Sequence, residues 1–257
     1  RSAAWPPGRF GDGAGRRYPA AMASDPIPVL FIGNSFIARN DLPGQVAALA
    51  ATADRRITAT AITAGGASLR RHLNSGAIDA ALARDFEVIV LQEQSTLPVR
   101  NAARYHANVR DVVAAIASAG VAPPTPQGRQ GRQGRQGQPQ RPRILLYETW
   151  ARLAEPASQA GLTAAVATIG AALQLEIAPA GQAWQRVLAG PEPIILHDRD
   201  GSHPNPAGSF LAAAVITLAI FPADLDRIAV PDDNRLDPGV AIRLLNAARD
   251  LMRLTLP

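Results

Sequence analysis

The chain has no cysteine and no lysine among its 257 residues, and only four histidines. Without cysteine there is no disulfide framework, no thiolate metal ligand and no cysteine nucleophile. All 26 basic residues are arginine, a usage that we attribute, with the abundant alanine, to coding bias rather than to mechanism. Long apolar runs are missing too: no stretch of about eighteen uninterrupted apolar residues occurs, which argues against a membrane-spanning helix. Residues 1–21, RSAAWPPGRFGDGAGRRYPAA, have no apolar core of the kind that an export signal needs and are interrupted by proline and glycine. We read residues 1–23 as a disordered N-terminal extension, with Met22 as a natural chain start and the cytoplasm as the default location.

A basic folded body is also lacking, despite a formal net charge of +5 and a pI near 10.8. Arg1, Arg9, Arg16 and Arg17 are opposed only by Asp12 within residues 1–23, and Arg129, Arg132, Arg135, Arg141 and Arg143 stand in residues 118–143 with no acid at all. The remainder of the chain is net acidic. A nucleic-acid partner needs a basic face on the fold itself, so none is expected.

What is present is a β/α alternation. IPVLFI (Ile27 to Ile32), ITATAIT (Ile57 to Thr63), FEVIVLQ (Phe86 to Gln92), RILLYE (Arg143 to Glu148) and LEIAPA (Leu175 to Ala180) read as strands. Helical patterns over Leu42 to Ala53, SLRRHLNSGAIDAALA, Arg104 to Ala119 and Ala157 to Leu173 separate them, and a last helical segment begins near Pro206. Continuous apolar strands alternating with helices predict a parallel five-stranded sheet covered on both faces, a three-layer α/β/α sandwich formed by residues 24–257 as one domain. The exception is residues 122–141, in which GRQ recurs in tandem; this segment cannot bury enough apolar surface to order and is read as a disordered insertion in a surface loop.

In such sheets the functional groups gather at the carboxyl ends of the strands. Four stretches fall there: GNSF (Gly33 to Phe36), AGGAS (Ala64 to Ser68), LQEQS (Leu91 to Ser95) and, ahead of the Pro206 segment, DGSHP (Asp200 to Pro204). Ser35 is the candidate nucleophile, at the start of a helical turn. A serine hydroxyl needs a base within hydrogen-bond reach, and His203 is the candidate, with Asp200 to hold the imidazole tautomer. Donors for a developing oxyanion would be the backbone N–H of Ser35, the backbone N–H of Gly66 and the side-chain amide of Gln92, with Gln94 as a rival. DxxH also suits a turn that merely caps the following helix, and Gln92 also suits a satisfied buried amide.

Other readings of these residues are weaker. His197, beside Asp198, competes as the base, and HDRDGSH can be drawn as a metal cluster, but one loop without ligands elsewhere is a poor metal site, so no metal is expected. No cofactor is called for either. No GxGxxG follows the first strand, which removes a dinucleotide site. His72 is expected to be partly exposed, His106 is read as a residue of a charged helix, and Trp150 and Trp184 are expected to pack a helix against the sheet.

The set GNSF, AGGASL, LQEQS and DGSHP, in this order and spacing from about Ile27 to Phe221, resembles the SGNH/GDSL hydrolase superfamily. NDLP (Asn40 to Pro43) adds to a likeness with a bacterial SGNH-like branch. The resemblance implies a flavodoxin-like sandwich and metal-free serine hydrolysis of acyl esters, on substrates ranging from small-molecule and acetylated carbohydrate esters to lipids and thioesters. Two positions depart from it. Asn34 stands where the usual GDS has aspartate, and the asparagine usual after the third strand is replaced by Gln92 or Gln94. An O-acyltransferase using the same residues and a non-catalytic binding module are the alternatives.

Overall fold

Successive side chains of a strand point to opposite faces, so the unbroken apolar run IPVLFIG requires cover on both. The computed structural model describes residues 25–119 and 141–255 and provides that cover. The sheet contains β1 (Ile27–Gly33), β2 (Ile57–Thr63), β3 (Val88–Leu91), β4 (Arg143–Tyr147) and β5 (Glu176–Ala178). Its order is β2-β1-β3-β4-β5, with every neighbouring pair parallel. The N-terminal extension, residues 1–23, and residues 122–140 of the low-complexity insertion lie outside the described residues.

Val29 and Phe31 of β1 share one core with Val88 and Val90 of β3 and with Leu145 and Tyr147 of β4. That face is covered by α2 (Leu42–Ala51), α8 (Ala180–Leu188), α9 (Pro206–Ile220) and α10 (Pro238–Thr255). Leu30 and Ile32 share the other with Ile89, Leu91 and Leu146, beneath α3 (Leu69–Asn74), α4 (Ala77–Leu82), α6 (Ala102–Ala119) and α7 (Gln159–Leu173). The single-turn helices α1 (Ser35–Ala38) and α5 (Leu97–Arg100) follow β1 and β3. The three-layer parallel architecture expected from the sequence is the one observed.

Three local expectations change. SLRRHLNSGAIDAALA is two helices, because Gly76 adopts φ +71 between α3 and α4 and breaks the run. LEIAPA stops as a strand at Ala178, and Ala180 opens α8 directly after Pro179. The Pro206 segment is not the last helix. Every residue of α9 after Pro206 is buried, and a helix apolar all round must be covered all round. α10 supplies part of that cover through Ala241, Leu244, Leu245, Ala248 and Leu251, spaced three and four apart. No helix among the described residues is long and apolar enough to cross a membrane.

The sheet order places the site. From β1 the chain crosses to β2 on one side and returns to β3 on the other, so the connections leaving β1 and β3 diverge and open a crevice at their carboxyl ends.

Candidate active site

Gly33 ends β1 where a side chain would not fit: a Cβ there would lie 2.4 Å from Oε1 of Gln92 and 2.7 Å from Cδ1 of Ile37. The close approach lets Gln92 accept the backbone N–H of Asn34 at 2.9 Å. Asn34 is extended (φ −133, ψ −150) and caps α1, its Oδ1 accepting the N–H of Phe36 at 3.0 Å. Ser35 is therefore the first residue of α1, half-buried, and its N–H has no acceptor among the described residues.

The loop before α9 meets it. Oγ of Ser35 lies 2.8 Å from Nε2 of His203, and Nδ1 of His203 lies 2.5 Å from Oδ2 of Asp200. The second oxygen of Asp200 accepts the N–H groups of Ser202 and His203, each at 2.9 Å, in a turn that Gly201 closes at φ +65. One carboxylate thus shapes the turn with one oxygen and holds the imidazole with the other. The His203 hydrogen bond, followed by the two backbone N–H groups, keeps the Asp200 carboxyl well below the usual carboxylate range. An ionised carboxylate only accepts, so Nδ1 donates to Asp200 and Nε2 is left to face the serine hydroxyl.

Aromatic packing fixes the loop from below. Phe36 lies 5.3 Å, centroid to centroid, from His203 and 5.0 Å from Trp150, and Trp150 stacks on Trp184 at 3.6 Å and 3°. The indole N–H of Trp150 donates to the carbonyl of Ser202 at 3.0 Å. Both tryptophans are buried. Trp150 helps to line a small groove with Ser95, Thr96, Val99, Arg100 and Arg152.

The remaining candidates separate. Gly66 is exposed at φ +62 in the loop after β2, and its N–H has no acceptor among the described residues. The amide of Asn34 ties this loop to β1 by donating to the carbonyl of Ala67 at 3.2 Å. Gln92 does not fit the donor role expected of it. It is fully buried, its Oε1 holds Asn34, and its Nε2 donates to the carbonyl of Glu93. Gln94 differs: its Oε1 accepts both the N–H and the hydroxyl of Thr96 at 3.0 Å, and its Nε2 has no partner among the described residues.

The other histidines serve the scaffold. His72 is buried rather than partly exposed, because α3 turns its Leu69 and His72 face onto β1, and Nε2 of His72 meets the carbonyl of Gly33 at 2.7 Å. His197 is buried against Trp184, with Nε2 on the carbonyl of Ala151, and His106 meets the carbonyl of Ala165. Among the described residues no three side chains of metal-ligating type converge.

Two of the buried carboxyls, at the carboxyl ends of β3 and β4, carry little mark of that burial in the sequence. Glu93, after β3, accepts from the N–H groups of Leu69 and Gln94 and from Asn108; Glu148, after β4, accepts from Gln159, Thr163 and Gln182. Burial pushes both above the usual carboxylate range, partly offset by those donors. They brace the helices around the crevice. Their only sequence signal is an acid directly after an apolar strand.

No family model matches the chain, and no curated protein matches it. Solved structures do. A DUF4886 family protein from Bacteroides uniformis is 20% identical over 89% of this chain and 95% of its own, with a TM-score of 0.70. A protein from Slackia heliotrinireducens, provisionally described as an SGNH hydrolase, is 24% identical over 76% of this chain and 100% of its own, with a TM-score of 0.59. The chain has the SGNH hydrolase fold. A catalytic mutant of an acetylxylan esterase from Geobacillus stearothermophilus shares that fold at 15% identity over 81% of this chain and 97% of its own, with a TM-score of 0.52. Within the SGNH fold, Asn34 gains a bond that the usual aspartate could not make, since only an amide can donate to Ala67.

Proposed function

We propose that the protein is a serine esterase that cleaves acyl esters through an acyl-enzyme intermediate, with Ser35 as nucleophile, His203 as general base and acid, and Asp200 as the partner of the imidazole. The contact of 2.8 Å between Oγ of Ser35 and Nε2 of His203, backed by the 2.5 Å contact to Asp200, carries this reading. His203 takes the Ser35 proton as Oγ attacks the ester carbonyl, and the imidazolium returns that proton to the departing alcohol. Water then gives a proton to His203 and attacks the acyl-serine, which releases the acid and restores the hydroxyl. The side chain of His203 is 26% exposed, so water can reach the acyl-enzyme as acceptor; product analysis with competing alcohols separates hydrolysis from acyl transfer.

The tetrahedral oxygen would be met by the N–H groups of Ser35 and Gly66 and, in place of Gln92, by the amide of Gln94. Gln94→Ala is accordingly expected to lower kcat by about 10- to 1,000-fold with KM little changed, since the donor matters only once negative charge develops. Steady-state kinetics on a short-chain aryl ester provide the check; an unchanged kcat removes Gln94 from the set. Acetylated carbohydrates and small-molecule esters are the candidate substrates, the former in keeping with the acetylxylan esterase that shares the fold.

A fluorophosphonate probe tests the reading as a whole. It is expected to label one residue, Ser35, identified by peptide mass, and the label should vanish in His203→Ala. Labelling elsewhere, or labelling that ignores His203, would leave a binding module as the better account.

A further inference from the structure

Ser35 and His203 are 168 residues apart in sequence; packing of the core brings them together, and polar contacts between the segment that follows Ser35 and the loop around His203 refine their separation of 2.8 Å. Two polar contacts do this beyond the pair itself. Arg39 meets Asp198 at 2.5 Å, but both side chains are 41% exposed, and such a pair contributes little in water. Asn40 makes the other: its single amide nitrogen donates to the carbonyl of Pro204 at 3.2 Å and to the hydroxyl of Ser209 at 2.8 Å. Pro204 directly follows His203, and Ser209 is buried in the first turn of α9. Both amide hydrogens are thereby used.

The backbone bears a cost for this arrangement. Asn40 (φ 54, ψ 24) and Asp41 (φ 50, ψ 58) are consecutive non-glycine residues in the left-handed region. Asp41 caps α2, its side chain accepting the N–H of Gly44 at 3.2 Å. At Asn40 a glycine would adopt the same angles without strain, and a link between α1 and α2 needs nothing more. Left-handed residues of this kind persist where surrounding structure holds them, often at functional sites.

We infer that Asn40 is a positioning residue whose amide clamps the Pro204 carbonyl and the start of α9 to the segment after Ser35, and so keeps His203 within hydrogen-bond reach of the nucleophile. The inference rests on the esterase reading above. The loop is then held from two sides, by Asn40 at Pro204 and by the indole of Trp150 at Ser202. With Asn40 released, the imidazole gains freedom relative to Oγ while the groove beside Trp150 keeps its lining.

Asn40→Gly separates the clamp from the fold, because it deletes the amide and relieves the strained backbone. kcat is expected to fall by about 10- to 100-fold, the scale of a small misplacement between reacting groups, with KM within about twofold. The rate of fluorophosphonate labelling should fall in parallel while Tm drops by only a few degrees, because relief of the left-handed backbone offsets part of the two lost hydrogen bonds. Asn40→Asp, which turns the donor into an acceptor against the Pro204 carbonyl, should lose at least as much activity. A labelling rate in Asn40→Gly equal to that of the parent, with Ser35→Ala as the unlabelled blank, overturns the clamp and leaves the esterase reading intact. A loss of rate that merely follows a larger loss of Tm overturns it as well. Labelling that persists in Ser35→Ala overturns the esterase reading, and the clamp with it.

Discussion

Ser35→Ala is expected to lower kcat toward a short-chain aryl ester by at least about 10⁴-fold, because the remaining donors and binding groups supply only the small part of the acceleration that does not need a covalent intermediate. The same variant should melt close to the parent. Ser35 is not the residue that caps α1: Asn34 holds the N–H of Phe36, and alanine is a good helix former in the position that follows. The one bond lost joins Oγ to a partly exposed imidazole, worth about 1 kcal/mol. Activity and stability therefore come apart, which a buried structural serine would not allow. Purified protein, steady-state kinetics and a circular-dichroism melt suffice, and turnover that survives the substitution would end the serine assignment.

Asp200→Asn is expected to cost about 10³- to 10⁴-fold in kcat at neutral pH. The amide oxygen of asparagine can still accept the N–H groups of Ser202 and His203, so the turn keeps its shape. At the imidazole the amide offers a donor where the carboxylate accepted. The ring then prefers its proton on Nε2, and a protonated Nε2 cannot take the proton of Ser35. Since Asp200 is held ionised far below the usual carboxylate range, chiefly by its bond from His203, its own titration plays no part in the acid limb of a rate profile measured above about pH 4.

The same shift fixes the sign of a stability effect. A carboxyl whose folded pKa is depressed stabilises the fold at pH values above its unfolded pKa, near about 4, and that stabilisation is lost as the pH falls toward the folded value. Asp200→Asn lacks the contribution at every pH. Denaturant midpoints of parent and variant should therefore differ most near neutrality and draw together below about pH 4. The Asp200 side chain is 45% exposed, so the difference is small beside the loss of rate. A gap that widened in acid would contradict the geometry of the turn.

Much of the fold was legible because each layer leaves a periodic trace. Unbroken apolar strands such as VIVL (Val88 to Leu91) occur where both faces are covered, and the helices between them carry their own spacing. α10 escaped notice because its apolar positions are diluted by arginine and asparagine, and they become core only once the uncovered side of α9 is known. His72 was misread for a similar reason, since neighbouring arginines made its stretch look solvated while the helix face pointed inward. Gln92 and Gln94 are the sharpest instance. Two identical side chains two residues apart cannot be told apart by type, and only the close approach at Gly33 decides that the first is spent on Asn34.

Residue order carries the layer pattern, the side of the sheet on which polar loops collect, and the chemical types present there: a hydroxyl after β1, and a carboxylate and an imidazole in one turn before α9. Those features are local, written in spacing and residue type. Tertiary structure alone decided that the hydroxyl and the imidazole, 168 residues apart, stand at 2.8 Å, and that Asn40 bridges to Pro204 and Ser209. Distances between remote segments are set by how helices seat on the sheet, and seating is a property of the whole packed core rather than of any segment.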